Sequence, residues 1–255
     1  MALSAAPERR ALLVGGSSEI AIAIAIRLAL DAPLTPYLLG RDRARLDAAA
    51  EILTRGGCAA AEIDLVDALD LAAHAGTVAR AFERTGGFDF VVLAVGTLGA
   101  QQALDADPEL ATEVMAVNFL GCGSLLLHCL RHLRDQGRGT LVVLSSVAAE
   151  RPRAGNAIYG AAKAGLDSLA QGLADAAADR SSGLRVLVVR PGFVRSRMTE
   201  GLAPAPFATT PDAVADATVR ALDGSAHTIW VPGRLRLLFA VLRHLPRSVY
   251  RRLPL

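Results

Sequence analysis

Seven short runs rich in Val, Leu, Ile or Ala recur along the chain, near residues 10–15, 34–39, 58–63, 88–95, 139–145, 184–190 and 227–232. Between and after them lie longer segments that read as helices, near 19–31, 42–55, 67–84, 108–135, 155–180, 211–223 and 234–245. Strands joined by helix-length connections cannot pair as hairpins, so the alternation predicts a parallel sheet covered on both faces. A chain of 255 residues suits one α/β domain, and no repeat or low-complexity linker divides it. The expectation is a single-domain, doubly wound α/β fold with a seven-stranded parallel sheet flanked by helices.

Ligands of such sheets bind at the carboxyl ends of the strands, so those ends carry the functional reading. After the first run, Gly15, Gly16, Ser17 and Ser18 form a small-residue turn ahead of Ile20 and a helix. Backbone N–H groups there would approach a pyrophosphate at the positive helix end. A purely structural turn is the alternative, because Glu19 and Ala21 stand where a full dinucleotide fingerprint has glycine. Glu19 is expected to turn its carboxylate outward. The second run ends in Gly40-Arg41-Asp42: no acid awaits a ribose hydroxyl, and Arg41 suits a 2′-phosphate, which favours NADPH over NADH. Arg41 could instead pair with a surface acid, and Asp42 could turn toward the ribose. After the third run, Asp64, followed by Leu65, could accept from an adenine amino group, while Asp67 is expected to cap the next helix. Ala94 and Gly96 close the fourth run with side chains small enough to leave room for a ribose.

Tyr159 and Lys163 lie four residues apart, about one helical turn, so a phenol and an ammonium would share a helix face. The cation would stabilise a phenolate and let Tyr159 exchange a proton with a substrate oxygen. Lys163 is the only lysine among 27 Lys and Arg, which argues that a compact ammonium is required there. Ser145 and Ser146 close the fifth apolar run, and Asn118 is a polar residue inside an apolar helical stretch, able to satisfy a helix break or anchor a water. His128 and His132 fall one turn apart without a third ligand, so an interface or surface role is expected rather than a metal site. Cys58, Cys122 and Cys129 have no metal-site spacing and read as small apolar residues in a reducing compartment.

With these residues assembled, positions 10–232 resemble the short-chain dehydrogenase/reductase family, whose Rossmann-like fold carries a Ser-x12-Tyr-x3-Lys core matched by Ser146, Tyr159 and Lys163. The resemblance implies that Tyr159 protonates a carbonyl oxygen that Ser146 also binds. Lys163 would lower the tyrosine pKa and hold the nicotinamide ribose, and Asn118 would hold a water linking Lys163 to solvent. Pro191, Val194 and Ser196 match the segment that binds the nicotinamide amide, with Ser196 where threonine is usual. Glu19, Ala21 and Ala94 depart from the family's Gly, Gly and Asn. Residues 1–232 would thus be a dinucleotide-binding and catalytic domain, with 233–255 a basic amphipathic extension.

A closer resemblance joins the Gly15-Gly16-x-Ser18-Glu19-Ile20 turn, Gly165-Leu166-Asp167, residues 190–198 and the stretch 241–248. It points to the decaprenylphosphoryl-2-keto-pentose reductases. It implies a lipid-linked 2-ketopentose reduced to the arabinose epimer for cell-wall arabinan, a membrane-associated flavin-dependent oxidase as partner, and a homo-oligomer; the alternatives are a short-chain reductase of an acyl or steroid ketone and a catalytically silent binding protein of the same fold.

Net charge is +2, yet residues 224–255 hold six arginines and no acid, which leaves −4 on the other 223 residues. The apolar stretch inside that tail is too short to span a bilayer and could lie on anionic lipid, bind a partner or pack on the core. No aromatic stacking platform accompanies it, so nucleic acid is not an expected partner. Residues 196–210 carry no clear period, and Pro204 and Pro206 resist helix, which suits a lid or a surface loop. No signal-peptide pattern or spanning segment is read, so the expected location is cytoplasmic, at the inner face of the membrane if the tail binds lipid.

Overall fold

The computed structural model describes residues 7–151, 153–177 and 183–252. Seven strands form one parallel sheet: β1 (Arg9–Val14), β2 (Leu34–Gly40), β3 (Glu62–Leu65), β4 (Phe90–Leu93), β5 (Gly139–Leu144), β6 (Leu184–Pro191) and β7 (Thr228–Val231). Their order is β3-β2-β1-β4-β5-β6-β7, so the winding reverses between β1 and β4, where such sheets open a ligand crevice. Alternate residues of one strand serve opposite faces: Leu12 and Val14 join one apolar cluster, Ala11 and Leu13 the other, and all four are 0% exposed. Burial on both faces is why these strands read as unbroken apolar runs.

Helices α1 (Glu19–Ala29), α2 (Arg43–Arg55) and α8 (Pro211–Leu222) cover the face with Leu13. The opposite face carries α3 (Leu71–Thr85), α6 (Cys122–Gln136) and α7 (Ala157–Ala176). Short helix α4 (Gln101–Ala106) and α5 (Pro108–Met115) precede α6, and α9 (Arg234–Leu242) and α10 (Arg247–Tyr250) end the described chain.

Several boundaries differ from the sequence expectation. The third strand lies at 62–65 instead of 58–63: the Cys58 amide donates to the Leu53 carbonyl, so residues 57–61 close the turn after α2. This edge strand is only half-buried, and its apolar signal is correspondingly weak. β4 stops at Leu93, and residues 94–96 leave the sheet. Helix α3 begins at Leu71 because Asp70, and not Asp67, caps it by accepting from the Ala73 amide; the Asp67 carboxylate accepts from Leu69 in a local turn. The last three residues of the expected helix 155–180 lie outside the described residues.

Residues 108–136 run continuously through α5, a π-helical stretch (Ala116–Gly121) and α6. By length and composition alone this 29-residue segment could cross a bilayer, its most apolar 18-residue window having mean hydropathy 1.6, but it is the core helix of the sheet. Leu125, Leu126 and Cys129 are 0% exposed. Asp107 starts it by accepting from the amides of Glu109 and Leu110, with Pro108 at the first helical position, where its missing N–H costs nothing.

Candidate active site

The turn after β1 is shaped by its glycines. Gly15 has φ +88°, and a Cβ there would stand 2.8 Å from the Ala94 carbonyl carbon and the Val95 amide nitrogen. The backbones of two neighbouring strand ends approach this closely only because no side chain intervenes. Ser18 caps α1 by accepting from the Ala21 amide at 3.4 Å. First-turn N–H groups of a helix have no intrahelical partner, and here they border a cavity of about 630 Å³ lined by Gly15, Ser17, Ser18 and Ile20. The cavity runs past Arg41 and Arg45 at one end and Val66–Ala68, and reaches Ala94–Gly99 at the other, with Ser196 to Met198 above. Volume, glycine cradle and helix N-terminus together fit a dinucleotide.

At the Arg41 end the charges are sorted. Asp42 caps α2 through the Arg45 amide and pairs with the Arg45 guanidinium at 3.1 Å, so its carboxylate is engaged within its own helix. Arg41 is exposed and has no ion pair among the described residues. Asp64 and Leu65 are not brought into the cavity. The Asp64 carboxylate accepts from the Tyr37 hydroxyl at 2.7 Å, Leu65 is 52% exposed, and Val66, Asp67 and Ala68 form the wall instead. Burial and the neighbouring Asp64 raise the Tyr37 pKa, which keeps its proton in that hydrogen bond.

Behind the Gly96 wall of the cavity lies the Tyr-Lys pair. Ser146 follows β5 with an extended backbone, and its Oγ accepts from the Ala148 amide at 3.1 Å. Helix α7 packs against this turn at Gly160, where a Cβ would sit 3.1 Å from the Ala148 oxygen, so Tyr159 is seated beside the serine turn. One turn further, Lys163 is 4% exposed and donates to the Leu144 carbonyl at 3.1 Å, its Nζ 6.0 Å from the Tyr159 ring centroid. Asn118 is fully buried in the π-helical stretch. Its amide donates to the carbonyls of Thr97 (2.7 Å) and Val114 (2.9 Å), and its Oδ1 accepts from the Thr97 amide at 3.3 Å. A π-turn leaves backbone carbonyls without their usual partners, and the Asn118 side chain supplies one. Gly96 joins the two halves: a Cβ there would lie 3.0 Å from Asn118 Oδ1 and 3.4 Å from Lys163 Nζ. The Gly96 wall of the cavity is thus backed by a buried ammonium and a buried amide, while Asn118, Ser146, Tyr159, Lys163, Pro191 and Val194 do not themselves line the cavity.

Beneath these residues is a buried ionic network that sequence reading did not single out as part of the site. Asp167, one turn beyond Lys163 on α7, accepts from Ser145 Oγ (2.5 Å), from Gln171 (2.6 Å) and bidentately from Arg190 (2.9 and 2.7 Å). Arg190 also donates to Glu150 at 2.7 Å, and Trp230 donates to the same carboxylate while its ring lies 4.9 Å from the guanidinium. The i, i+4 spacing of Lys163 and Asp167 was readable as one helix face. Their link to the residue before Pro191 was not, because it depends on β5 and β6 being neighbours.

After β6, Pro191 leads to Gly192, against which Leu235 of α9 packs: a Cβ on Gly192 would stand 2.7 Å from its Cδ1. Val194 is buried and accepts from Thr199 Oγ1 through its carbonyl, while Ser196 lines the cavity. Glu19 turns only partly outward: its side chain is 38% exposed, yet it also lines the cavity. Its carboxylate accepts from the Arg197 amide at 2.7 Å, and the Arg197 guanidinium donates to the Ser17 carbonyl at 2.6 Å, tying the segment after Ser196 to the glycine turn. Among the described residues no group of three or more His, Cys, Asp or Glu is placed to hold a metal, and His132 stacks on Phe82 with centroids 4.9 Å apart.

Residues 9–206 match the protein family described as short chain dehydrogenase. The chain is 44% identical over 243 residues to an uncharacterized oxidoreductase of Mycobacterium tuberculosis, covering 95% of this chain and 96% of that one. It is 41% identical over 249 residues to an uncharacterized oxidoreductase of Streptomyces coelicolor, covering 97% and 96%. Among solved structures it resembles the actinorhodin polyketide ketoreductase with NADPH, with TM-score 0.77 and 22% identity over 89% of this chain and 96% of that one. It also resembles a short-chain type dehydrogenase/reductase from Mycobacterium ulcerans, with TM-score 0.76 and 23% identity over 98% and 100%.

Proposed function

The chain belongs to the short-chain dehydrogenase family and is an NAD(P)-dependent oxidoreductase, and on that premise we propose that it reduces the 2-keto group of a polyprenylphosphoryl pentose with NADPH. The observation that carries the reductase reading is the Gly96 wall of the cavity, behind which buried Lys163 and Asn118 approach one another, with Tyr159 one turn before Lys163. When bound, the reduced nicotinamide supplies a hydride. Gly15, Ser17, Ser18 and Ile20 hold its pyrophosphate at the start of α1. Arg41 takes the 2′-phosphate, a role supported by its exposure and by the engagement of Asp42 with Arg45. Lys163 holds the nicotinamide ribose, and Ala94 and Gly96 leave it room; Pro191, Val194 and Ser196 flank the amide.

Ser146 donates to the ketone oxygen, and Tyr159 gives that oxygen its hydroxyl proton as negative charge develops there. The phenolate left behind is stabilised by the Lys163 ammonium. Asn118 holds the helix break in place and serves a water that returns the proton. Ketone, hydride and proton balance to the secondary alcohol and oxidised cofactor.

Support for the pentose comes from the likeness of residues 190–198 and 241–248 to the keto-pentose reductases. In this reading a flavin-dependent oxidase makes the ketone, the product enters cell-wall arabinan, and the enzyme works as a homo-oligomer in the cytoplasm. The test is turnover of the lipid-linked 2-ketopentose beside a panel of acyl and steroid ketones, each with NADPH and with NADH. The expected result is the arabinose epimer formed with NADPH, and a loss of about 10²- to 10⁴-fold in kcat for Tyr159→Phe. Turnover of another ketone alone overturns the substrate. An unaffected Tyr159→Phe variant overturns the proton donor.

A further inference from the structure

Helix α9 has two apolar faces. Leu235 (4% exposed) and Leu242 (6%) turn to the core, whereas Leu237 (74%) and Val241 (63%), four residues apart, turn to solvent on the opposite side. Arg234 borders the exposed stripe on one side, and Arg236 and Arg243 on the other. The patch continues onto the segment after Ser196, because the Arg234 guanidinium stacks on Phe207 at 4.1 Å and Phe207 is itself 38% exposed. All six tail arginines are exposed, and among the described residues none lies within ion-pair distance of a carboxylate. The C-terminal segment is nonetheless held in a defined place: Arg151 donates to the carbonyls of Leu242 (2.5 Å) and Leu245 (2.7 Å) and stacks on Tyr250.

An apolar stripe flanked by arginines, on a helix whose other side is anchored in a folded domain, has the form of an interfacial helix. Its apolar residues enter the acyl boundary while long cationic side chains stay at the headgroups. We infer that the outer face of α9, with Phe207 and the tail arginines, docks this protein on an anionic lipid bilayer. Uncompensated charge selects the lipid: six cations with no neighbouring acid suit an anionic surface, and a protein partner would have to bring a matching acidic face. The inference rests on this face alone and does not depend on the pentose reading.

Flotation of the full chain with vesicles tests it, using phosphatidylcholine alone or mixed with phosphatidylglycerol, at low and high salt and without substrate. Binding is expected only with the anionic mixture and should fall as salt rises. The double variant Leu237→Ser, Val241→Ser should bind about tenfold more weakly or worse. Each of Arg243→Gln, Arg247→Gln and Arg251→Gln should cost about fivefold. NADPH binding and melting temperature of these variants, unchanged, show that folding is intact. Equal binding to neutral vesicles, or none to either kind, overturns the inference. So does sedimentation showing a dimer that Leu237→Ser dissociates, since the face would then belong to a second copy.

Discussion

Gly96 bears on the chemistry without containing a reactive atom, because the buried side chains of Asn118 and Lys163 flank the place a Cβ on it would take. Replacing it with Ala puts a methyl 3.0 Å from Asn118 Oδ1, tighter than a normal contact and against a residue held by three hydrogen bonds. Gly96→Ala is expected to lower kcat roughly tenfold to a hundredfold, with a stability cost of about 1–3 kcal/mol; wild-type kinetics would show that Lys163 and Asn118 can give way. Arg190 is the residue whose loss should be felt most in stability. It is 8% exposed and joins Asp167, Glu150 and Trp230, so its removal strands two buried carboxylates. Arg190→Met should destabilise by about 3–5 kcal/mol in denaturant titration. A loss under about 1 kcal/mol would mean that the carboxylates reach water. The Tyr159–Lys163 pairing was legible from spacing because the two lie one turn apart on a helix, whereas Ser146 was singled out only by the family resemblance. Asp64 was misplaced because its partner, Tyr37, sits on the adjacent strand.

Charge acts on two elements, one beside the site and one, α6, away from it. The segment after Ser196 is tied to the glycine turn by Arg197 and Glu19, an exposed contact of the kind that contributes at most about 1 kcal/mol. Arg197→Ala should therefore move the melting midpoint by no more than about 3 °C, yet speed proteolytic cleavage between residues 198 and 207 severalfold. Unchanged cleavage would show that the Val194–Thr209 bridge holds the segment by itself. On α6, burial above all, and then the charges of His74, His132 and Arg131, hold the His128 pKa below its ordinary 6.5. The unfolded chain then takes up the proton first as pH falls, so stability is lost below about pH 6.5 and is present above it. Melting at pH 7.5 and 5.5 should differ less in His128→Gln than in the wild type; an equal difference assigns the acid sensitivity to other groups. The longer helices were legible from pattern, whereas α4 and α10, of six and four residues, are too short to show a period and were not expected. The start of α3 was not, because Asp67 and Asp70 are equal candidates until the turn at Leu69 selects one.

Across the whole molecule the three cysteines report on packing. All are free and buried, and burial pushes the thiol of Cys58 up to about 11 and that of Cys129 to about 12; Cys122 is raised too, against the opposing charge of Lys163. A thiol reagent at pH 8 should label none in the native protein and all three in denaturant, and fast native labelling of Cys129 would mean that α6 opens. The sequence by itself determined the strand–helix alternation, the parallel sheet, the Tyr159–Lys163 pair and the glycine turn. Each of these is written in spacings of a few residues, where periodicity and backbone freedom decide the outcome. Only the tertiary structure decided which carboxylates face the cavity, that Glu19 ties down the segment after Ser196, and that Asp167 and Arg190 meet under Ser145. It alone showed α9 turning Leu237 and Val241 outward. Those outcomes depend on which strands become neighbours in the order β3-β2-β1-β4-β5-β6-β7, and partners far apart in sequence are chosen by the packing of the whole sheet.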